Sequence, residues 1–325
     1  MGYKSQIVLI FPRFFSQLKA YEKMNYKRRK FIQIAGAAAT GSLVLPHWAC
    51  KGGGEQSAAG AAESAAQPSL SKFGLQLYTL RDDMPKDPKG ILKQVASFGY
   101  AQIEGYEHNE QGMFWGMSPA NFKGYMNELG MEMVASHCGV TQNFDAKAAQ
   151  AAEVGMKYLI CPWIGPQKSL DAWKKVADDF NGYGEVCRKN GIRFAYHNHG
   201  YSFKEMEGVI PQDYLFENTD PATVDYELDL YWVVTGGAEP AAYLEKYGAR
   251  IHLCHVKDRM KGAPAEENNA SCDIGTGSID YPKLLGIAAK QGMKYYIVEQ
   301  ERYDNSTPLK SAEAGAAYMK QLVFS

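Results

Sequence analysis

Four ionisable side chains of metal-binding type close four short apolar runs in the second half of this chain. His197 ends the run Ile192–His197, Asp229 ends Val224–Asp229, His255 lies near the end of Ile251–Val256, and Glu299 ends Tyr295–Glu299. Two imidazoles with two carboxylates form a mixed nitrogen and oxygen donor set, suited to Mn²⁺, Zn²⁺ or a similar divalent ion. Such a set can also move protons: a carboxylate bound to an ion through one oxygen still accepts a proton on the other, which makes Glu299 the first choice for a base and His197 a second. His199 follows His197 by two residues, so both rings point to one face of an extended chain, and either can be the ligand.

Each residue has a plainer reading. Asp229 could cap a helix, Glu299 could pair with Lys257 or Arg302, and His255 could be a satisfied core histidine. Four compatible ligands on four successive runs are harder to explain that way, because buried charges need partners and a cation supplies one. Period-two alternation puts Ile251, Leu253 and His255 on one face and His252 and Cys254 on the other, so His252 is read as structural, facing away from the site. The same alternation puts Ile297 and Glu301 on the face of Glu299.

The four runs belong to a longer alternation. Strands are expected near Gly74–Tyr78, Ala101–Glu104, Glu132–His137, Tyr158–Pro162, Ile192–His197, Val224–Asp229, Ile251–Val256 and Tyr295–Glu299. Amphipathic segments separate them, the clearest from Leu170 to Lys189 with Trp173, Val176, Ala177, Phe180 and Val186 on one face. Gly99, Gly130, Gly155, Gly191, Gly248 and Gly292 stand where left-handed helix stops are expected. Eight strand–helix units over residues 71–325 predict a single-domain α/β fold, a closed (β/α)8 TIM barrel, with its chemistry at the C-terminal strand ends. A doubly wound sheet would show a glycine-rich phosphate loop after an early strand, and none follows Tyr78. Gly275-Thr276-Gly277 comes late and is weak evidence for a nucleotide.

The segments His255-Val256-Lys257-Asp258-Arg259, Leu228-Asp229 and Val298-Glu299-Gln300 resemble the xylose isomerase-like TIM-barrel superfamily, the sugar phosphate isomerase/epimerase group, from Phe73 to the C-terminus. Its members include ketose 3-epimerases, inosose dehydratases and endonuclease IV. The resemblance implies a divalent metal on His197, Asp229, His255 and Glu299, and substrate contacts from Glu104, His137, Lys257 and Trp163; His199 and Glu301 join them as substrate-binding candidates. The chain departs from the epimerases in one respect: where they carry a glutamate on strand five, it has His197, so their two-carboxylate mechanism is not intact. The expected activity is therefore proton abstraction next to the carbonyl of a sugar, keto-sugar or cyclitol, followed by isomerisation, epimerisation or elimination.

The first 70 residues have another character. Lys27-Arg28-Arg29-Lys30 precedes an apolar Ala/Gly-rich run to Ala49, so residues 1–49 resemble a twin-arginine export signal, and Met24 offers a second translation start. Cys50 begins a Gly/Ser/Ala-rich linker over 50–70 and is a candidate lipid anchor, although His47-Trp48-Ala49 departs from the usual lipobox. The expectation is an exported protein, periplasmic or tethered to a membrane only through that anchor. The other cysteines, Cys138, Cys161, Cys187, Cys254 and Cys272, are odd in number and read as small buried residues. A net charge of -1 gives no basic surface for nucleic acid and argues against a nuclease. The competing reading is a non-catalytic sugar-binding lipoprotein using Trp115, Trp163, Tyr201, Trp232 and Tyr303 as stacking platforms, with helix packing favoured for Trp173 and Trp232. A homo-oligomer is left open.

Overall fold

The computed structural model describes residues 70–304 and 306–325. The expected export signal, Cys50 and nearly all of the expected linker lie outside the described residues.

Eight parallel strands close into a barrel: β1 (Gly74–Gln76), β2 (Gln102–Tyr106), β3 (Glu132–His137), β4 (Tyr158–Cys161), β5 (Arg193–His197), β6 (Val224–Asp229), β7 (Ile251–Val256) and β10 (Tyr295–Val298), with β10 pairing to β1. Between β7 and β10 a two-stranded antiparallel ribbon, β8 (Asp258–Arg259) with β9 (Ser271–Cys272), stands on the C-terminal side. The first run is shorter than its composition suggests. It leaves the sheet after Gln76, whose side chain accepts the Tyr78 N–H at 2.9 Å and starts a 3₁₀ turn over Leu77–Leu80.

Proline and short polar caps start the helices, as expected where the first N–H groups have no intrahelical partner. α1 (Pro88–Phe98) is capped by Asp87, α2 (Pro119–Glu128) by Ser118 and α4 (Leu170–Lys189) by Ser169; α3 (Phe144–Val154) has no side-chain cap. In α4 the buried face is Trp173, Ala177, Phe180, Gly184 and Cys187, a spacing of alternating four and three residues. A Cβ on Gly184 would fall 2.7 Å from the Thr223 hydroxyl, so glycine lets α4 press against the start of β6. Five of the six expected helix stops are left-handed; Gly248 has φ −53° and runs into a short 3₁₀ turn instead.

Alternation along the strands makes two cores. Outward side chains such as Leu75, Ile103, Phe194, Tyr226 and Val298 pack against the helix layer. Inward, Val134, Ala135, Tyr158, Ile160, Ala195, Leu253 and Ile297 plug the barrel axis. Polar residues follow this plug toward the C-terminal ends. Two register shifts adjust their aim, between Ile103 and Glu104 against β3 and between Tyr226 and Glu227 against β7. The second corrects the simple alternation of β7: Ile251 joins the helix-side core, Leu253 the interior. His252 therefore does not face the helix layer. Its Nδ1 lies 3.1 Å from Asp225 Oδ2, at the opposite end of β6 from Asp229, where Arg193 also pairs with that carboxylate.

Candidate active site

The register brings the strand-end residues together. His197 stands opposite Glu227, and Asp229 opposite His255. His255 is the hub. Its Nδ1 is 3.1 Å from Glu299 Oε2 and 3.5 Å from Asp229 Oδ2; its Nε2 is 2.8 Å from Glu104 Oε1 and 3.2 Å from Glu227 Oε2. His197 Nε2 approaches Asp229 Oδ2 at 3.3 Å. Asp229 divides its oxygens: Oδ1 accepts the Trp232 N–H at 2.8 Å and caps the helix Leu230–Thr235, which leaves Oδ2 for the histidines. Glu299 pairs with Lys257 at 3.4 Å, whereas Arg302 is taken by Asp304.

Two groups of four could hold an ion. In His197, Asp229, His255 and Glu299, one ligand atom of each lies within 4.8 Å of all the others; the same holds for Glu104, His137, Glu227 and His255. The first group fits a divalent ion better. It opens to a cleft through two members, His197 and Glu299, whereas the second reaches it through His137 alone; buried atoms without a partner among the described residues occur in both, His197 Nδ1 in the first and Glu104 Oε2 and Glu227 Oε1 in the second. The second group shares His255 and approaches the other ring nitrogen, the place of an outer carboxylate that fixes a ligating histidine's tautomer. Glu227 was not picked out from the sequence. The signal was present: it precedes Asp229 by two residues and must share its face.

The cluster is densely charged. Glu104, Glu227, Asp229 and Glu299 are all buried, with Lys257 the buried lysine among them. Burial alone would raise the carboxyl pKa values, but His137 and His255 hold Glu104 well below the usual range, His197 and His255 hold Asp229 down, and Lys257 and His255 hold Glu299 down. Burial would likewise lower the histidines; Glu104 and Glu227 outweigh it and push His137 up to about 9, and Glu227 and Glu299 raise His255. At Lys257, Glu299 and Glu301 outweigh burial and raise the ammonium. His199 goes the other way: burial and then repulsion from His197 hold it well below the ordinary histidine value.

Above this cluster lies a cleft of about 360 Å³. His137, His197 and Glu299 reach it from below, and Tyr78, Tyr106, Trp163, His199, Trp232 and Glu301 help to line it. Glu104 and Lys257, expected as substrate contacts, are fully buried and act on the cleft through their partners: Glu104 through His255 and Lys257 through Glu299 and Glu301. His199 sits outside both four-residue groups, its ring 4.6 Å from Trp163 and 4.9 Å from Trp232. Trp163 is 57% exposed and free to stack on a ligand. The other aromatic expectations are redistributed. Trp173 is core, as read, but Trp232 lines the cleft. Trp115 is buried against Tyr106 and Phe122, and Tyr303 spends its hydroxyl on Thr79 and Gln300. The Gly275–Gly277 loop is no phosphate cradle, because Asp258 already accepts the N–H groups of Gly275, Gly277 and Ile279.

Comparison with known proteins agrees with this architecture. Inosose dehydratases from Clostridium tetani and Lactiplantibacillus plantarum are 26% and 28% identical over 166 and 164 residues, 46% of this chain in each case. The matches cover 55% and 54% of those enzymes, so the chain spans about half the length of the curated relatives it matches. A sugar phosphate isomerase/epimerase from Parabacteroides distasonis superimposes with a TM-score of 0.66 at 26% identity, covering 81% of this chain and 97% of the other. The IOLI protein, whose structure holds a zinc atom, shares the fold at a TM-score of 0.65 and 15% identity over 78% of this chain and 99% of its own. The family model for the xylose isomerase-like TIM barrel matches residues 92–322. An eight-stranded barrel with its acids and imidazoles gathered at one mouth, matched over that length, belongs to the xylose isomerase-like TIM-barrel family.

Proposed function

We propose that this chain is a divalent-metal-dependent enzyme that removes the proton next to the carbonyl of a sugar, keto-sugar or cyclitol. The observation that carries the reading is the convergence of His197, Asp229, His255 and Glu299 under a cleft of small-ligand size. An ion held by these four would polarise the substrate carbonyl and acidify the neighbouring C–H. Glu299 is the base: its pairs with His255 and Lys257 use Oε2, which leaves Oε1 to take the proton. His137, held protonated by Glu104 and Glu227, lines the same cleft as a proton donor. Trp163 offers a face for the ring, and Glu301 a polar contact at the rim.

Elimination is favoured over epimerisation. Strand five supplies His197 where a second carboxylate base would be needed, and the relatives named inosose dehydratase are lyases of a cyclitol ketone. In that reaction Glu299 takes the proton, a carbon–carbon double bond forms, and the hydroxyl leaves as water with the proton of His137. The binding-protein reading keeps the exposed Trp163 but gives no use to four acids buried under the cleft.

The test is turnover of a panel of keto-sugars and cyclitol ketones by chelated and metal-reloaded protein, with bound metal assayed. Activity should appear only with the ion; equal activity after chelation contradicts the proposal. Among the described residues no helix is long and apolar enough to cross a membrane. The proposal includes export, on the strength of Arg28-Arg29 and the apolar run ending before Cys50. Mass spectrometry of the native protein should find a terminus at or near Cys50 outside the cytoplasm, and an intact Met1 or Met24 terminus in the cytoplasmic fraction contradicts it.

A further inference from the structure

A second cleft, of about 540 Å³, adjoins the first and shares Trp163, His199 and Trp232 with it. Its other walls are Tyr201 and Lys204 on the β5 side and Ala265, Glu266 and Asn268 on the loop between β8 and β9. That loop is tied down from beneath. Buried Arg259 donates to the carbonyls of Glu267 at 2.8 Å and Pro264 at 2.7 Å, and the Tyr231 hydroxyl donates to Asn268 O at 2.7 Å and accepts the Ala270 N–H at 2.8 Å. From outside, Arg302 donates to Asn269 O at 2.8 Å. The wall is thus built rather than open. Two donors on its inner side, Thr235 Oγ1 and Trp232 Nε1, are buried with no partner among the described residues.

We propose that this second cleft is a subsite for a further sugar ring, so that the substrate is a disaccharide or larger glycoside rather than a single ring. The inference rests on the carbohydrate reading above. The cleft over Glu299 is near the lower end of ligand-site volumes, with room for one small molecule. The adjoining space is larger, and Trp163, His199 and Trp232 border both. Its lining joins an aromatic platform, Trp163, with polar side chains at Lys204, Glu266 and Asn268, the mixture that covers the apolar face of a sugar and meets its hydroxyls. A glycosidic bond from a ring held over Glu299 would pass His199, which belongs to both walls.

The test is equilibrium binding to the metal-loaded protein by calorimetry, with saturation-transfer NMR to show which rings touch the protein. The probes are glucose, phenyl β-glucoside, cellobiose, maltose and trehalose. At least one disaccharide should bind about tenfold or more tightly than glucose, about 1.4 kcal/mol, with transfer to both rings. Ala265→Trp should fill the second cleft and erase that difference while leaving glucose affinity unchanged; Trp163→Ala should weaken both. If glucose binds and no disaccharide exceeds it, or if only phenyl β-glucoside gains, the second-ring subsite is overturned and the function proposed for the first cleft stands. If no sugar of either size binds while the ketone panel above is turned over, the subsite alone is overturned. These probes carry no ketone, so their binding tests the subsite alone, and the catalytic reading is tested by the panel of keto-sugars and cyclitol ketones above.

Discussion

Lys257→Met removes the one lysine buried among the acids of the cluster while keeping a stem of similar length against Tyr231 and Trp232, whose rings lie 4.9 and 5.3 Å from the ammonium. Its Nζ is 2.5 Å from Glu301 Oε1 and 3.4 Å from Glu299 Oε2, and only Glu301 has substantial access to water. Removing one partner of a buried pair strands the other charge and typically costs about 3–5 kcal/mol. For a domain of this size each kcal/mol lowers Tm by roughly 2–4 °C, so the variant should melt roughly 6–20 °C below the parent. Urea unfolding of chelated protein measures the loss. Two further arms locate its origin. Adding Glu301→Gln removes one stranded carboxylate and should recover part of the loss. Adding Mn²⁺ or Zn²⁺ should recover more, about 2.7 kcal/mol at a hundredfold excess over Kd, because an ion beside Glu299 offsets the same charge. A cost below about 1 kcal/mol, or no response to either arm, would refute the claim that Lys257 and a cation share the burden of these carboxylates.

Glu227→Gln should keep the fold but weaken metal binding by about 10–100-fold, the usual effect of removing an outer carboxylate from a ligating histidine; calorimetric titration with Zn²⁺ reads it, and unchanged affinity contradicts the role. Asp229→Asn and His255→Ala should lose the ion outright, so that activity does not return with added metal, which elemental analysis and turnover of the reloaded variants check. The metal-free protein should also lose stability with rising pH. His137 is raised in the fold to about 9 from its ordinary value of about 6.5, so its contribution, of the order of 3 kcal/mol, is complete below about 6.5 and disappears as pH rises through about 9. Urea midpoints in EDTA between pH 6 and pH 10 should show this slope, and His137→Gln should flatten it.

Much of the fold was legible because the runs and their stops obey simple periods. β3, β6, β7 and α4 have the bounds that the sequence predicts, and the other strands differ by one or two residues at an end. The convergence of His197, Asp229, His255 and Glu299 was legible for the same reason, since each stands at a strand terminus or one residue from it. What could not be read are features that depend on neighbouring strands. The register shifts on β3 and β7 turn His252 toward Asp225 and bring Glu104 under His255, and no local pattern announces them. Glu227 hid behind Asp229, the more conspicuous strand-end acid. The aromatic residues were misassigned because backbone geometry beyond the strand ends decides where they point: Trp115, in a loop, takes a left-handed backbone with φ 47° and folds into the core, while Trp232, on a short helix capped by Asp229, turns back to line the cleft.

The central claim is that Glu299 removes a proton next to a carbonyl over an ion held by His197, Asp229, His255 and Glu299. The direct measurement follows release of deuterium, by NMR, from a cyclitol ketone or keto-sugar labelled at that carbon, with wild-type protein and Glu299→Gln compared at equal bound metal. Wild type should release the label at the rate of turnover, and Glu299→Gln should slow release by about 10² to 10⁴. Product formed with the label retained, or Glu299→Gln releasing it as fast as wild type, would contradict the account.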